Sequence, residues 1–461
     1  MAHTVTCYEW DRIEGLEEEQ RVALEAWRDK YNKNTSGDED AASIIQFGSD
    51  YVTFTKYVGI IAFKDGLVLE VLPKLFRKDR ERKINVKEEI EKQDIARAQK
   101  PDETSDTDNC VESKYAKSLL LTMLQRCKKI SYKFFQKAKI NIAQMPLLEI
   151  FIRMFIDEVR ELIRRGIRCG YETVECNAPY FKGKLLVSQH IRYNVAHQER
   201  CYVQYDEFSV NRLENRLIKA TCEFLVRMSS DGRNRTELRK ILDLFDEVDA
   251  SVDFRSDISQ YTRDRNLTEY DNLMIWCRLF MEHRGFSNYS GNSIAFALMY
   301  PMEKVYEEYI ACCLRDAFPD WTVTAQEQNK YLLTIDNKSM FQLKPDIVLI
   351  NRNGKYWILD TKWKILDDKQ TNYGISQSDM YQMYAYYHRY RVDDQRIQGV
   401  ILLYPCELYP CEEDKCRVFK ENAVNGAEIY ACYVKLGGCG NSQDEIHDNV
   451  KKELKKLPCF K

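Results

Sequence analysis

Asp346, Asp360 and Lys362 are the residues of this chain whose types and spacing best suit them to chemistry. They belong to the stretch Lys344-Pro-Asp-Ile-Val-Leu-Ile-Asn-Arg-Asn-Gly-Lys-Tyr-Trp-Ile-Leu-Asp-Thr-Lys-Trp-Lys364, in which two apolar runs flank a turn at 351–354. Alternate side chains of a strand share a face, so Asp360 and Lys362 are expected to point one way and Leu359 and Thr361 the other. A hairpin brings Asp346 beside them. Two carboxylates on rigid strands are hard oxygen ligands for Mg²⁺, which polarises a phosphate and lowers the pKa of an attacking water. Lys362, one strand repeat beyond Asp360, is placed to position or deprotonate that water, or to neutralise charge developing on the phosphate. An Asp-x-Lys alone is common. The weight comes from Pro345-Asp346 opening the preceding strand, Asp360 ending an apolar one, and a helix following at the right distance.

The elements that hold these groups follow from periodicity. A helix at 302–318 precedes β runs at 332–335, 341–350 and 355–362, then a helix at 376–390 and the apolar run Gly399-Val-Ile-Leu-Leu-Tyr404, a buried strand. This order predicts an α/β core over 293–461. Gln382 and Tyr386, four apart, share one helix face. They either pack on the sheet or reach the site, whereas Tyr381 and Tyr384 are expected to pack on the sheet. Residues 1–76 combine a helix at 16–31 with alternating runs and an Asp65-Gly66 hairpin signal, which predicts a small α+β module. Residues 77–113, rich in Lys, Arg, Glu and Asp, read as a charged linker in which a solvated helix runs into a loop. Residues 114–292 carry helical periods, such as Leu147 to Ile163 closed by Gly166, with a strand-like insert at 180–208. The predicted fold class is multidomain α/β, with a small α+β N-terminal module, a mostly helical middle region and a C-terminal α/β core.

A length of 461 residues favours more than one domain. The 44% hydrophobic and 12% aromatic content is that of a globular chain. No apolar run of membrane-spanning length and no signal peptide is legible, so a cytoplasmic location with no membrane partner is expected. In that compartment the 16 cysteines are expected to be mainly buried thiols. Cys406, Cys411 and Cys416 lack the close pair that iron–sulfur clusters use, and the six histidines show no zinc spacing. A net charge of −3 supplies no global attraction to nucleic acid. Basic clusters at 160–168 and 227–239, or a partner, must supply it. No G-x-x-x-x-G-K-[ST] loop cradles a nucleotide, and Gly437-Gly-Cys-Gly440 reads as a turn.

Taken together, Pro345-Asp346, Asp360-Thr-Lys362 and Gln382-x-x-x-Tyr386 resemble the RecB-like branch of the PD-(D/E)xK nucleases. Within it, Asp360-Thr-Lys-Trp-Lys364, Ser378-Asp-Met-Tyr-Gln-Met-Tyr-Ala-Tyr386, Val400-Ile-Leu-Leu-Tyr-Pro405 and Met302-Glu-Lys-Val-Tyr-Glu-Glu-Tyr309 resemble McrC, the nuclease subunit of the McrBC modification-dependent restriction system. The likeness reaches upstream to Gly183-Lys-Leu185, Asn211 to Lys219, Gly59-Ile-Ile and Glu70-Val-Leu-Pro-Lys74, spans residues 52–405 and is dense only after 293. It implies a C-terminal PD-(D/E)xK restriction-endonuclease-like core and an Mg²⁺-dependent DNA endonuclease. It also implies a partner, a McrB-like AAA+ GTPase hexamer that recognises modified cytosine and translocates DNA, whose GTPase this subunit stimulates. The missing phosphate loop agrees with that division of labour, in which the helical and N-terminal regions dock on the ring. A third metal ligand is implied on the helix before the core, Glu307 or Glu303, with Glu307 fitting the family phrase better. Lys364, on the Lys362 face, is a candidate phosphate contact beside Gln382 and Tyr386. Two alternatives stay open: a stand-alone RecB-like repair or phage nuclease, and a non-cleaving adaptor that activates the GTPase.

Overall fold

The computed structural model describes residues 3–34, 44–74, 82–98, 107–127, 145–197, 199–262, 268–282, 294–336, 338–367, 369–393, 397–406, 416–422, 426–436 and 443–460. It divides into two compact units. Residues 148–284 make one, and the rest of the described chain makes the other.

The larger unit begins with β1 (His3–Tyr8), β2 (Arg12–Glu14), α1 (Glu18–Asn34), β3 (Ile45–Phe47), β4 (Tyr51–Phe54), β5 (Tyr57–Phe63), β6 (Leu67–Leu72), β7 (Lys83–Asn85), α2 (Val86–Ala98) and α3 (Thr107–Arg126). The hairpin read at Asp65-Gly66 joins β5 to β6, with Gly66 at φ 98°. Residues 77–113 are not simply a linker. Ile84 and Val86 enter the N-terminal core, so β7 pairs with β2 and α2 follows, two apolar anchors holding a segment whose charges dominate its composition.

The smaller unit holds α4 (Leu147–Arg165), β8 (Gly170–Ala178), β9 (Lys184–Leu185), α5 (Val187–Asn194), β10 (Cys201–Ser209), α6 (Leu213–Met228), α7 (Gly232–Leu244), α8 (Phe254–Gln260) and α9 (Thr268–Glu282). Its strands form one sheet in the order β8-β10-β9, starting at Gly170, ten residues before the expected insert. Glu149, 2% exposed, accepts from Ser229 Oγ, the Ser230 and Asp231 amides and Asn234 Nδ2, the buried carboxylate being satisfied by the turn into α7.

The larger unit resumes with β11 (Ile294–Pro301), α10 (Met302–Ala317), β12 (Thr322–Ala325), β13 (Lys330–Ile335), β14 (Lys338–Leu343), β15 (Ile347–Ile350), β16 (Tyr356–Thr361), α11 (Gln377–Asp393), β17 (Ile397–Cys406), β18 (Arg417–Lys420), β19 (Glu428–Lys435) and α12 (Gln443–Leu454). A six-stranded mixed sheet runs β12-β15-β16-β17-β19-β18. β16 and β17 are parallel, with α11 as the connecting helix between them. The single run expected at 341–350 breaks at Pro345, which has no N–H to donate. β14 therefore belongs to a separate ribbon with β13, and β15 to the sheet.

Two long-range pairings redraw the expected boundaries. β11 closes the N-terminal sheet in the order β1-β6-β5-β11, so that module is completed by residues far downstream. Gly59 permits this approach, because a Cβ there would collide with the Leu298 carbonyl, and its φ of 146° suits glycine alone. α3, expected with the helical middle region, packs instead on α10 and α12.

The cysteine expectation needs one correction. The antiparallel pairing of Arg417 with Ala431 sets Cys416 opposite Cys432, and the two form a disulfide. The described free cysteines are buried or half-buried. Cys411 and the Gly437–Gly440 stretch lie outside the described residues.

Glu9 gives a test of the N-terminal packing. It is 2% exposed and accepts from the Trp363 indole at 2.9 Å and the Lys74 amide at 3.3 Å. Burial pushes its carboxyl up to about 7, against the pull of Lys74. The folded chain thus keeps a proton that the unfolded chain has lost, so stability falls as pH rises between about 4.5 and about 7, by about 3 kcal/mol in total. Glu9→Gln is expected to flatten this slope and to raise the urea midpoint at alkaline pH. A variant whose pH slope matches that of the parent would show that Glu9 ionises freely.

Candidate metal and nuclease site

Several elements converge on one cavity of about 860 Å³ in the larger unit. β15 pairs with β16 in the register Ile347 to Leu359, which continued by one residue sets Asp346 opposite Asp360. Pro345 ends one strand and Asp346 opens the next, so the first carboxylate sits where the chain changes sheets. Asp360 is 1% exposed, held between β15 and β17. Beyond Thr361 the chain stays tied to β17 through the Lys362 amide and Leu403 carbonyl at 3.0 Å.

The polar contacts are dense. Asp346 Oδ2 accepts from the Thr361 amide at 2.6 Å and the Thr361 hydroxyl at 2.8 Å. The Lys362 ammonium lies 2.7 Å from Asp360 Oδ2 and 3.7 Å from Asp379 Oδ1, and donates to Gln382 Oε1 at 3.1 Å. Gln382 Nε2 donates in turn to the Tyr386 hydroxyl at 2.9 Å. Asp360 Oδ2 is buried, with the Lys362 ammonium against it. Glu307, on α10, is half-buried in the same cavity.

The electrostatics are those of crowded acids. Burial, then the neighbouring Asp346, push Asp360 up to about 7 against the pull of Lys362. Burial, then Glu307, push Asp346 up to about 6, and the Thr361 bonds oppose this. Glu307 is raised by burial, which outweighs a hydrogen bond from Gln326, and by the charge of Asp360. For Lys362, burial alone would favour the neutral amine, but Asp360 and Asp379 outweigh it and hold the ammonium charged. Three acids that repel one another in one cavity suit a divalent cation. Among the described residues no three His, Cys, Asp or Glu side chains already form a closed cage. Asp346 spends one oxygen on Thr361, and the Lys362 ammonium lies against Asp360.

The structure thus brings together Asp346, Asp360, Lys362, Gln382, Tyr386 and Glu307. Glu303 reaches the cavity rim but pairs with Lys56 at 2.7 Å. Lys364 does not join them. Regular strand geometry ends at Thr361, so alternation no longer applies, and the Lys364 ammonium donates to the Gly374 carbonyl at 2.7 Å. The same irregularity puts the Thr361 hydroxyl on Asp346, although Thr361 was expected on the opposite face. Tyr381 and Tyr384 are 65% and 43% exposed rather than packed on the sheet. The buried face of α11 is Met383, Tyr386, Tyr387 and Tyr390, about one residue out of phase with the expectation.

Several cavity residues escaped the sequence reading. Lys56 and Tyr57 arrive because the Met302 amide donates to the Lys56 carbonyl at 2.8 Å, where β5 meets β11. No local signal marks them. Outside the cavity lining, Gln326 bonds the Asp346 carbonyl through its amide and Glu307 through its side chain. Lys344 abuts Pro345-Asp346 and could have been found from that adjacency. Elsewhere Cys313, His447 and Asp316 align in the order of a nucleophile triad, with contacts of 3.4 and 3.0 Å. Burial raises the thiol and lowers the imidazole, the reverse of what an active pair needs, so this is a packing contact.

Comparison with known proteins places the chain. Its fold is similar to a chain of the half-complex from the tetradecameric assembly of Thermococcus gammatolerans McrB AAA+ hexamers with bound McrC, at a TM-score of 0.68 and 18% identity, covering 98% of this chain and 99% of that one. A chain of the Thermococcus gammatolerans McrBC complex solved by cryo-EM aligns at a TM-score of 0.48 and 18% identity, over 68% of this chain and 88% of that one. No curated protein sequence matches. The family model for the McrBC 5-methylcytosine restriction system component matches residues 52–405, well over half of the sequence, and the chain belongs to that family.

Proposed function

We propose that this chain is the Mg²⁺-dependent DNA endonuclease subunit of a McrBC-like restriction complex, with a PD-(D/E)xK core, and that a McrB-like AAA+ GTPase hexamer selects and delivers its DNA. One observation carries the reading: Asp346, Asp360 and Glu307, acids that burial and mutual repulsion hold above their ordinary range, converge beside a charged Lys362 in an open cavity. Family membership, and the McrB hexamers with which the structural relative assembles, support the partner.

Asp346, Asp360 and Glu307 would hold the cation, which when bound supplies Lewis-acid polarisation of the phosphate and a more acidic water. Thr361 fixes one oxygen of Asp346, which lines the cavity, and leaves the other without a bond to Thr361. Gln382, braced by Tyr386, aims the Lys362 ammonium. Charged in the resting site, Lys362 suits neutralisation of the charge that develops on the phosphate oxygens as phosphorus becomes pentacoordinate better than it suits proton abstraction. In the reaction one P–O bond forms to water, one P–O bond to the leaving sugar oxygen breaks, and the proton that water loses is made good at the leaving oxygen by exchange through solvent. The non-cleaving adaptor reading is disfavoured because it gives the buried acids no work.

The test is cleavage of methylated and unmethylated plasmid with Mg²⁺, with and without the candidate GTPase and GTP. Cutting confined to methylated DNA with partner and GTP is expected. Cutting by the chain alone would move it to the stand-alone class, and GTPase stimulation without any cutting would make it an adaptor. Lys56→Ala is expected to raise KM for DNA about tenfold while kcat changes little, since Lys56 lines the cavity and pairs with Glu303 at its rim. A fall in kcat with unchanged KM would refute that placement.

A further inference from the structure

The β13–β14 ribbon is inserted between β12 and β15 and stands outside the six-stranded sheet. It is not built like a solvated hairpin. Opposite residues of an antiparallel pair share a face, so Tyr331 with Gln342 and Leu333 with Met340 make one row, which Ile335 continues. Leu333 and Ile335 are 58% and 60% exposed, and Met340 44%. On the other face Phe341 is 66% exposed and held at φ 58°. That backbone costs a bulky residue about 1–3 kcal/mol and is typically retained where function requires it. An apolar free ribbon is an aggregation liability unless something covers it.

Its root shows what that is. Gln342, Leu343 and Lys344 line the same cavity as Asp346 and Asp360. The Arg389 guanidinium donates to the Tyr331 carbonyl at 2.6 Å, and the Lys330 ammonium lies 4.2 Å from the Tyr390 ring. The helix that carries Gln382 and Tyr386 therefore also anchors the ribbon. At about 3.4 Å per residue, its six-residue strands reach about 20 Å from the cavity, the axial length of about six nucleotides of duplex. A polymer whose phosphate enters the cavity must run past the ribbon.

We propose that the β13–β14 ribbon enters a groove of duplex DNA beside the cut phosphate, where Leu333, Met340 and Phe341 press on base edges while Lys338 and Lys344 meet phosphates. A two-stranded ribbon fits the major groove, and apolar wedges are a known means of opening base steps. The two phosphate contacts add a salt slope of at most about two, and the rest of the ribbon's contribution is apolar. The inference rests on the nuclease reading, and its test separates the two.

The full chain, with and without the candidate GTPase and GTP, is titrated onto a fluorescent duplex oligonucleotide in Ca²⁺, which permits binding without cutting. Leu333→Ser/Met340→Ser is compared with Phe341→Gly, which keeps the backbone angle, and with the parent. Both ribbon variants are expected to lose duplex affinity by about tenfold or more, with unchanged mass by light scattering and unchanged melting. Parental duplex affinity in both ribbon variants would overturn the proposal. So would a fall in oligomeric mass in the ribbon variants, which assigns the ribbon to a second copy, or a loss of GTPase binding alone, which assigns it to a protein contact. If the parent binds no duplex under any of these conditions, the nuclease reading itself falls, and the ribbon proposal with it.

Discussion

Asp360→Asn is expected to reduce DNA cutting on the order of a thousandfold or more while leaving the fold intact. The size follows from position: the carboxylate is 1% exposed, opposite Asp346 and beside Lys362, so its loss removes one of two strand-borne acids and the partner of the ammonium. A merely structural acid would behave differently, because its removal would lower stability. Here the sign is reversed. Asp360 holds its proton up to about 7 when folded, against 3.8 as the ordinary value, so in the absence of metal its contribution to stability falls as pH rises through that window. The metal-free Asn variant should therefore melt higher than the parent at neutral and alkaline pH. Mg²⁺ should raise the melting temperature of the parent and not of the variant, because only the parent gains binding free energy in the folded state. Cation binding must displace protons from these acids, so the Mg²⁺ needed for half-maximal stabilisation should fall as pH rises from about 6 to about 8. A variant that still cuts, or one that melts far below the parent, would remove Asp360 from the site. Asp346→Asn combined with Asp360→Asn should cost little more than either alone, as expected for groups acting as a unit.

Lys117→Met carries the largest expected effect on stability. Lys117 and Glu70 form an ion pair at 3.0 Å, with side chains 6% and 1% exposed. Glu70 also accepts from the Thr6 hydroxyl at 2.8 Å and the Leu147 amide at 2.7 Å, and Lys117 donates to the Met145 carbonyl at 3.2 Å. Removing the lysine strands a carboxylate beneath β6 and α3, where neutral donors remain but no cation does. Losses of about 3–5 kcal/mol are usual when one partner of a buried pair is deleted. The urea midpoint for the larger unit should fall accordingly. Lys117→Met with Glu70→Gln should recover much of the loss, because the amide keeps an acceptor for Leu147 without a charge. A double variant as unstable as the single one would mean that packing, not the stranded charge, sets the cost.

The hairpin around Asp346 and Asp360 was legible in sequence because strand alternation, a proline and a tight turn act over short distances. Asn351 closes that turn on itself, accepting from the Asn353 and Lys355 amides at 2.9 and 3.0 Å. Gln382 and Tyr386 were legible as a pair, since helix spacing fixes which residues share a face. The phase of α11 was not, because Tyr381 and Tyr384 are as apolar by composition as the tyrosines that pack. The sheet decides which four are buried. Lys364 failed for a related reason, since alternation holds only while the strand does, and β16 ends at Thr361.

By itself, then, the sequence determined the local devices: two acids and a lysine on adjacent strands, the helix that braces the lysine, and the order helix, strands, helix, strand. Tertiary structure alone decided that β11 completes the N-terminal sheet and so carries Lys56 and Tyr57 to the cavity, that β13–β14 stands free beside it, and that Cys416 meets Cys432. The physical reason is common to all three. Pairing between distant strands is set by which surfaces can be buried together once the whole chain is folded, and no periodicity within a short window records that choice.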